Sequence, residues 1–243
     1  FYLQPKCNMA TGELVSMEAL ARWQKSDGTF VSPEEFIPLF ESSGFITRFD
    51  MYIWKSVCKT LAAWQDKGCK LVPISINVSM IDITNIDVPQ YLSMLTEQYH
   101  ISPEYLPVEI TESVFAESNT IVKNTITRFH KKGFYVLMDD FGSGYSSLNV
   151  LKDANVDYLK LDMKFMQIDA KNKGKGIQIL KSIVDMAYRL GLVIIAEGVE
   201  TKEQSEILKS MNCNYGQGFY FCKPMTVQEI HSMLNQMDAD DYA

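Results

Sequence analysis

Eight apolar runs of strand length recur along the chain, and most end in a polar or acidic residue before a loop and an amphipathic stretch of helix length. They read "FYLQP", "LVSMEALARW", "VPISINVS", "LPVEITES", "FYVLMDD", "VDYLKLD", "LVIIAEGVE" and "GQGFYF". Between them, "SPEEFIPLFESSG" opens on a serine cap and a proline, and "RFDMYIWKSVCKTLAAWQDKG" carries an apolar stripe at helical spacing up to a glycine. Further helices are expected in "SNTIVKNTITRFHKKG", "GIQILKSIVDMAYRLG", "TKEQSEILKSMN" and "TVQEIHSMLNQM". Such alternation over 243 residues predicts an α/β fold, a TIM-like (β/α)8 barrel. A doubly wound open sheet competes, but no G-x-G-x-x-G follows its first strand.

The first two strands are joined only by a short polar turn around "NMATGE". So tight a connection joins antiparallel strands and cannot carry a parallel crossover. The first strand is therefore expected to run against the others.

Composition narrows the possible partners. Acidic residues number 30 against 23 basic ones, with no basic cluster, which argues against a nucleic-acid polymer or a membrane surface. The five cysteines never form C-x-x-C, so they read as reduced thiols in a cytoplasmic setting rather than a disulfide framework or zinc site. No apolar run approaches the ~20 residues of a membrane helix. No linker divides the chain, so residues 1–243 read as a single domain, and its start at Phe1, already inside strand-like sequence, leads us to expect that it is excised from a longer multidomain protein with room for its own anchor.

In a barrel of this kind the active site lies at the carboxyl ends of the strands. The polar residues at those ends are Glu18, Asn77, Glu109, Asp139, Asp140, Lys160, Glu197 and Gln217. Five carboxylates aimed into one mouth repel one another unless protons or cations lie between them. Oxygen ligands without histidine or thiolate favour a hard cation, Mg2+ or Mn2+. One octahedral ion rarely takes five carboxylates, so two ions fit better, and such a pair supports in-line phosphoryl displacement by water. Neighbouring strand residues point to opposite faces, so Asp139 and Asp140 can serve one site only if the strand stops there.

Each residue also has a plainer explanation: a lone strand-end carboxylate is more often a cap or surface ion pair, and Lys160 can be an ion-pair partner instead of a cation that orients water. Glu18, Leu20 and Arg22 share one strand parity, so one face can offer a ligand, an apolar contact and a phosphate-binding guanidinium, although Arg22 can equally be a surface arginine.

With "MEALARW", "INVS", "VEITES", "MDDFGSGYSSL", "DYLKLD", "AEGVET" and "GQGFYFCKPM" in register, the chain resembles the EAL-domain phosphodiesterases that hydrolyse cyclic di-GMP, from its first residues to about Met225. The resemblance implies that Glu18, Asn77, Glu109 and Asp139 bind one metal ion, and that Asp139, Asp140 and Glu197 serve a second. It places Lys160 and Glu197 beside the attacking water, with Glu197 as proton acceptor, and makes Gln4 and Gln217 substrate contacts. It assigns Glu112 to holding the "DFGSGYSSL" loop and Glu200 to a supporting role near Lys160. It further implies linear pGpG as product, two-metal activation of water, a homodimer and control by regulatory domains of the parent protein.

Departures from the family pattern are few. Ser16 stands where glycine is usual, Lys6 and Cys7 follow "QP" where apolar residues are frequent, Asn155 replaces a common proline and Met163 a basic residue. None falls on a matched metal ligand. The rival readings are a module that senses cyclic di-GMP without cleaving it, and a barrel aldolase using Lys160 as a Schiff-base nucleophile, which leaves the carboxylates unexplained.

Overall fold

The computed structural model describes residues 1–116, 120–142, 151, 154–162 and 173–240. Its strands are β1 (Tyr2–Asn8), β2 (Leu14–Leu20), β3 (Trp23–Gln24), β4 (Phe30–Val31), β5 (Ile74–Asn77), β6 (Val108–Thr111), β7 (Val136–Phe141), β8 (Tyr158–Asp162), β9 (Val193–Glu197), β10 (Tyr215–Gln217) and β11 (Met225–Thr226). The main sheet runs β10-β9-β8-β7-β6-β5-β2-β1-β11, and an added β10–β1 pairing closes eight of these strands into a barrel. All neighbours from β2 round to β10 are parallel, whereas β1 is antiparallel to both β2 and β10. The expected reversal of the first strand follows from its turn: Gly12, at φ 77°, donates to Asn8 O, and the Asn8 side chain accepts from the Ala10 amide.

The helices are α1 (Pro33–Ser42), α2 (Ile46–Asp66), α3 (Met80–Asn85), α4 (Val88–Tyr99), α5 (Glu112–Ala116), α6 (Thr120–Lys131), α7 (Lys173–Arg189), α8 (Lys202–Ser210) and α9 (Val227–Asp240). Helix α2 buries Ile53, Val57, Leu61 and Trp64 at helical spacing, and its Trp54 indole donates to Asn77 O at 3.0 Å, which ties the helix to the carboxyl end of β5. Ser32 precedes α1 but forms no side-chain cap bond there.

Period-two alternation divides the barrel strands. Leu3, Met17, Ile74, Ile76, Val108, Ile110, Val136 and Met138 belong to the apolar core, each worth roughly 1.5–3 kcal/mol when fully buried. The alternate positions Lys6, Ser75, Glu109 and Lys160 are also buried, and they carry polar groups. The barrel axis is thus lined by hydrogen-bonding side chains at residues whose neighbours build the core.

Four further expectations need correction. Helices α3 and α4 occupy a stretch for which the sequence patterns above predict no helix; their signals are the Ser79–Asp82 capping box and the Asp87 cap followed by Pro89. The run "LVSMEALARW" leaves its strand at Leu20 and resumes in the small β3–β4 ribbon, so Arg22 lies outside the strand that holds Glu18. The last barrel strand is Tyr215–Gln217; Gly218 to Phe221 form a turn, in which the Phe221 and Cys222 amides donate to Gly218 O. Finally, β7 does not stop at the aspartate pair. It continues to Phe141 through a register shift, with Asp140 in the left-handed region at φ 55°.

Candidate active site

The strands bring their carboxyl-end residues together around one ammonium group. Lys160 Nζ lies 3.2 Å from Glu18, 3.0 Å from Asp139 and 2.7 Å from Glu197, and it also pairs with Glu109. Asn77 donates to Glu18 Oε1 at 3.2 Å, and Gln217 donates to Glu18 Oε2 at 2.8 Å and to Gln4 Oε1 at 3.1 Å. Gln4 in turn donates to Cys222 O at 3.4 Å. Above this layer opens a mouth of about 310 Å3 lined in part by Gln4, Asp140, Asp162, Glu197, Glu200 and Phe219. A cavity of about 660 Å3 elsewhere, lined by residues such as Tyr188, Leu192 and Met211, has Asp185 as its one carboxylate and no comparable chemistry.

The bulge in β7 explains how two consecutive acids reach one site. A left-handed residue reverses the normal alternation, so Asp140 does not point away from Asp139. One oxygen from each of Asp139, Asp140 and Glu197 lies within 4.8 Å of the others, as does one from each of Glu18, Glu109 and Asp139. Asp139 belongs to both groups. Two oxygen-only clusters sharing one carboxylate match the donor set of paired hard divalent cations.

The electrostatics agree with that donor set. Desolvation works against the charge on Glu109, but the ammonium groups of Lys160 and Lys6 outweigh it and hold this carboxyl at about 2. Desolvation also opposes the charge on Lys160, yet Glu109, Glu18, Glu197 and Asp139 raise its pKa well above the ordinary lysine value. Glu197 goes the other way: desolvation, and the charges of Asp139, Glu18 and Glu109, raise it well above the usual carboxylate range against the pull of Lys160. Even with Glu197 held toward its neutral form, the other carboxylates outnumber the two buried ammonium groups, and the mouth stays negative.

Of the other expected residues, Leu20 ends β2 and is partly exposed. Arg22 lies half-buried with its guanidinium 5.4 Å over the Tyr2 ring and its Nη1 donating to Ala21 O. Glu112 accepts from the Gly142 amide at 2.8 Å, just beyond the aspartate pair; the rest of the "DFGSGYSSL" loop, residues 143–148, lies outside the described residues, as does Met163. Glu200 sits exposed on the rim and does not contact Lys160. Two residues were missed. Lys6 and Ser75 both bond to Glu109, and the signal for Lys6 was its strand parity with Gln4.

A closed barrel with one reversed strand and an acidic, lysine-centred mouth at its carboxyl end defines a class of metal-fitted α/β barrels. The pattern that defines the EAL domain matches residues 1–224, and the chain belongs to that family. It is 35% identical over 230 residues to "Probable cyclic di-GMP phosphodiesterase PdeB" of Escherichia coli K12, covering 94% of this chain and 43% of that protein. It is 30% identical over 233 residues to "Cyclic di-GMP phosphodiesterase PA2567" of Pseudomonas aeruginosa, covering 96% of this chain and 39% of that protein. The chain therefore spans less than half the length of either relative. Among solved structures it superposes on the PaMucR phosphodiesterase in complex with c-di-GMP with a TM-score of 0.87 at 29% identity, covering 94% of this chain and 92% of the other.

Proposed function

We propose that the chain hydrolyses cyclic di-GMP to linear pGpG with Mg2+ or Mn2+, two ions at a time. The observation that carries this reading is the pair of carboxylate clusters sharing Asp139, with Lys160 against both. When bound, such ions supply Lewis acidity that acidifies a water and offsets phosphate charge. Glu18, Asn77, Glu109 and Asp139 would hold one ion, and Asp139, Asp140 and Glu197 the other.

The chain's own groups then divide the work. Lys160 orients the attacking water and steadies charge on the phosphate oxygens. Glu197, 2.7 Å from Lys160 Nζ and ionised once cations lie among the carboxylates, accepts the water's proton. The water oxygen bonds to phosphorus, the bond from phosphorus to the ribose 3′ oxygen breaks, and that oxygen takes up a proton from solvent. Arg22 offers a guanidinium to a phosphate, Leu20 an apolar contact to the nucleotide, and Gln4 and Gln217 amides at the mouth. Glu112 holds the chain at Gly142 and so fixes the exit from the aspartate pair. Glu200 belongs to the rim of the same mouth.

This activity belongs in the cytoplasm, in a homodimer, and within a longer signalling protein whose other domains set its rate. Among the described residues no helix is long and apolar enough to cross a membrane. The test is chromatography of cyclic di-GMP incubated with the purified chain in Mg2+, Mn2+ or chelator, beside a Glu18→Gln variant. Metal-dependent pGpG from the unmodified chain alone is expected; tight binding without turnover would instead mark a sensor.

A further inference from the structure

Lys6 is fully buried on β1, inside the barrel, one layer below the carboxylate mouth. Its Nζ donates to Ser75 Oγ at 2.7 Å and pairs with Glu109 Oε1. Ser75 Oγ also bonds to that oxygen, and lies 3.1 Å from Met17 O. The other oxygen, Oε2, meets Lys160 on the side of the mouth. The two oxygens of Glu109 are therefore divided, one turned to a buried lysine and serine, the other to the metal-fitted cluster. Below Lys6 lies a cavity of about 200 Å3 lined by Ser75, Leu137, Tyr158 and Ile195 among others, and Glu109 is the one carboxylate that Lys6 contacts among the described residues.

We propose that Lys6 is a positioning residue that, with Ser75, withholds one oxygen of Glu109 from the metal site and so selects for small octahedral cations. The inference rests on the metal reading given above. A carboxylate with one oxygen tied down offers a single ligand atom. That suits Mg2+ or Mn2+, which hold six ligands at short distance, and disfavours Ca2+, which takes six to eight oxygens and readily accepts two from one carboxylate. Rotation of Glu109 into a two-oxygen arrangement would leave the Lys6 ammonium buried without a carboxylate, which is strongly unfavourable. Lys6 thereby acts on the ion through the Glu109 side chain and touches neither substrate nor ion.

Charge and geometry separate cleanly in this case. Replacing Lys6 by an uncharged residue strengthens the attraction for Mn2+ and Ca2+ alike, because both are divalent. The ratio of the two affinities cancels that common effect and reads the freedom of Glu109. Mn2+ binding to the unmodified chain, Lys6→Met and Ser75→Ala would be followed by electron paramagnetic resonance, with Ca2+ as competitor. The preference for Mn2+ over Ca2+ is expected to fall about tenfold in Lys6→Met, the size usual for groups that orient a ligand. A smaller fall in the same direction is expected in Ser75→Ala, and this variant decides the matter if Lys6→Met fails to fold. An unchanged ratio in the folded variants would overturn the proposal. If the unmodified chain binds no Mn2+, the metal reading itself falls and this inference with it.

Discussion

The amide of Asp140 donates to the carboxylate of Asp139 at 2.8 Å, and Asp140 itself stands at φ 55°. A two-residue acid motif thus becomes a convergent pair through one left-handed residue inside a strand. Asparagine tolerates that conformation and β-branched residues do not. Asp140→Asn should leave urea stability within about 0.5 kcal/mol and lower turnover about 100-fold. Asp140→Val should add a loss of about 1–2 kcal/mol for the backbone. Equal stability of the two variants would contradict the bulge as described.

Lys160 is the cation that holds the mouth together, so its removal leaves Glu18, Glu109, Asp139 and Glu197 facing one another. Lys160→Met should cost about 3 kcal/mol in chelator, the usual penalty for breaking a buried pair. Saturating Mn2+ should restore much of that stability by binding the folded form, while turnover stays low. Urea titrations with and without Mn2+ measure both; equal losses in the two conditions would refute the shared role of ammonium and ion.

Gly218 follows Gln217 at φ 157°, and a Cβ there would fall 2.2 Å from the carbonyl oxygen and 2.4 Å from the amide nitrogen of Val199. Backbone cannot yield as a flexible side chain does. Gly218→Ala should cost about 2 kcal/mol and reduce turnover, since Val199 lies two residues beyond Glu197. Unfolding curves and initial rates check it, and a neutral alanine would show that the two segments are free to part.

Asp50 on α2 carries a pKa pushed up to about 9, by desolvation first and then by the charge and hydrogen bond of Asp82. Asp82 is buried with its Oδ1 lacking any other partner, and the proton that Asp50 retains supplies the donor for the hydrogen bond between the two side chains. The folded state keeps a proton that the unfolded chain gives up near pH 3.8. This contribution to stability is therefore complete below that pH and declines as pH rises toward 9, by up to about 1.4 kcal/mol per unit. Asp50→Asn should flatten this part of the stability profile measured by denaturant titration between pH 5 and pH 9. A slope unchanged by the substitution would place the proton elsewhere.

Much of the barrel was legible because strand ends and helix caps are local. Glu18, Asn77, Glu109, Asp139, Lys160 and Glu197 each follow apolar residues in a strand-length run, and the structure brings them to one mouth. The short turn after Asn8 announced the reversed strand. What escaped depended on conformation or on distant neighbours. The sequence "MDDF" does not say whether the strand ends or bulges, because either lets two acids converge. Arg22 had the right parity, but its strand ends two residues earlier. Lys6 looked like a departure from pattern, since its partners Ser75 and Glu109 come from strands that only closure of the barrel sets opposite it.

A carboxylate and lysine cluster that directs water onto phosphorus leaves the water's oxygen on that phosphorus. Turning over cyclic di-GMP in 18O-enriched water with Mn2+, followed by mass spectrometry of the products, reads where that oxygen goes. A linear dinucleotide with one heavy oxygen in its terminal 5′ phosphate and none on the 3′ hydroxyl is expected. Intact cyclic di-GMP, or a product without label in that phosphate, would refute this role of the cluster.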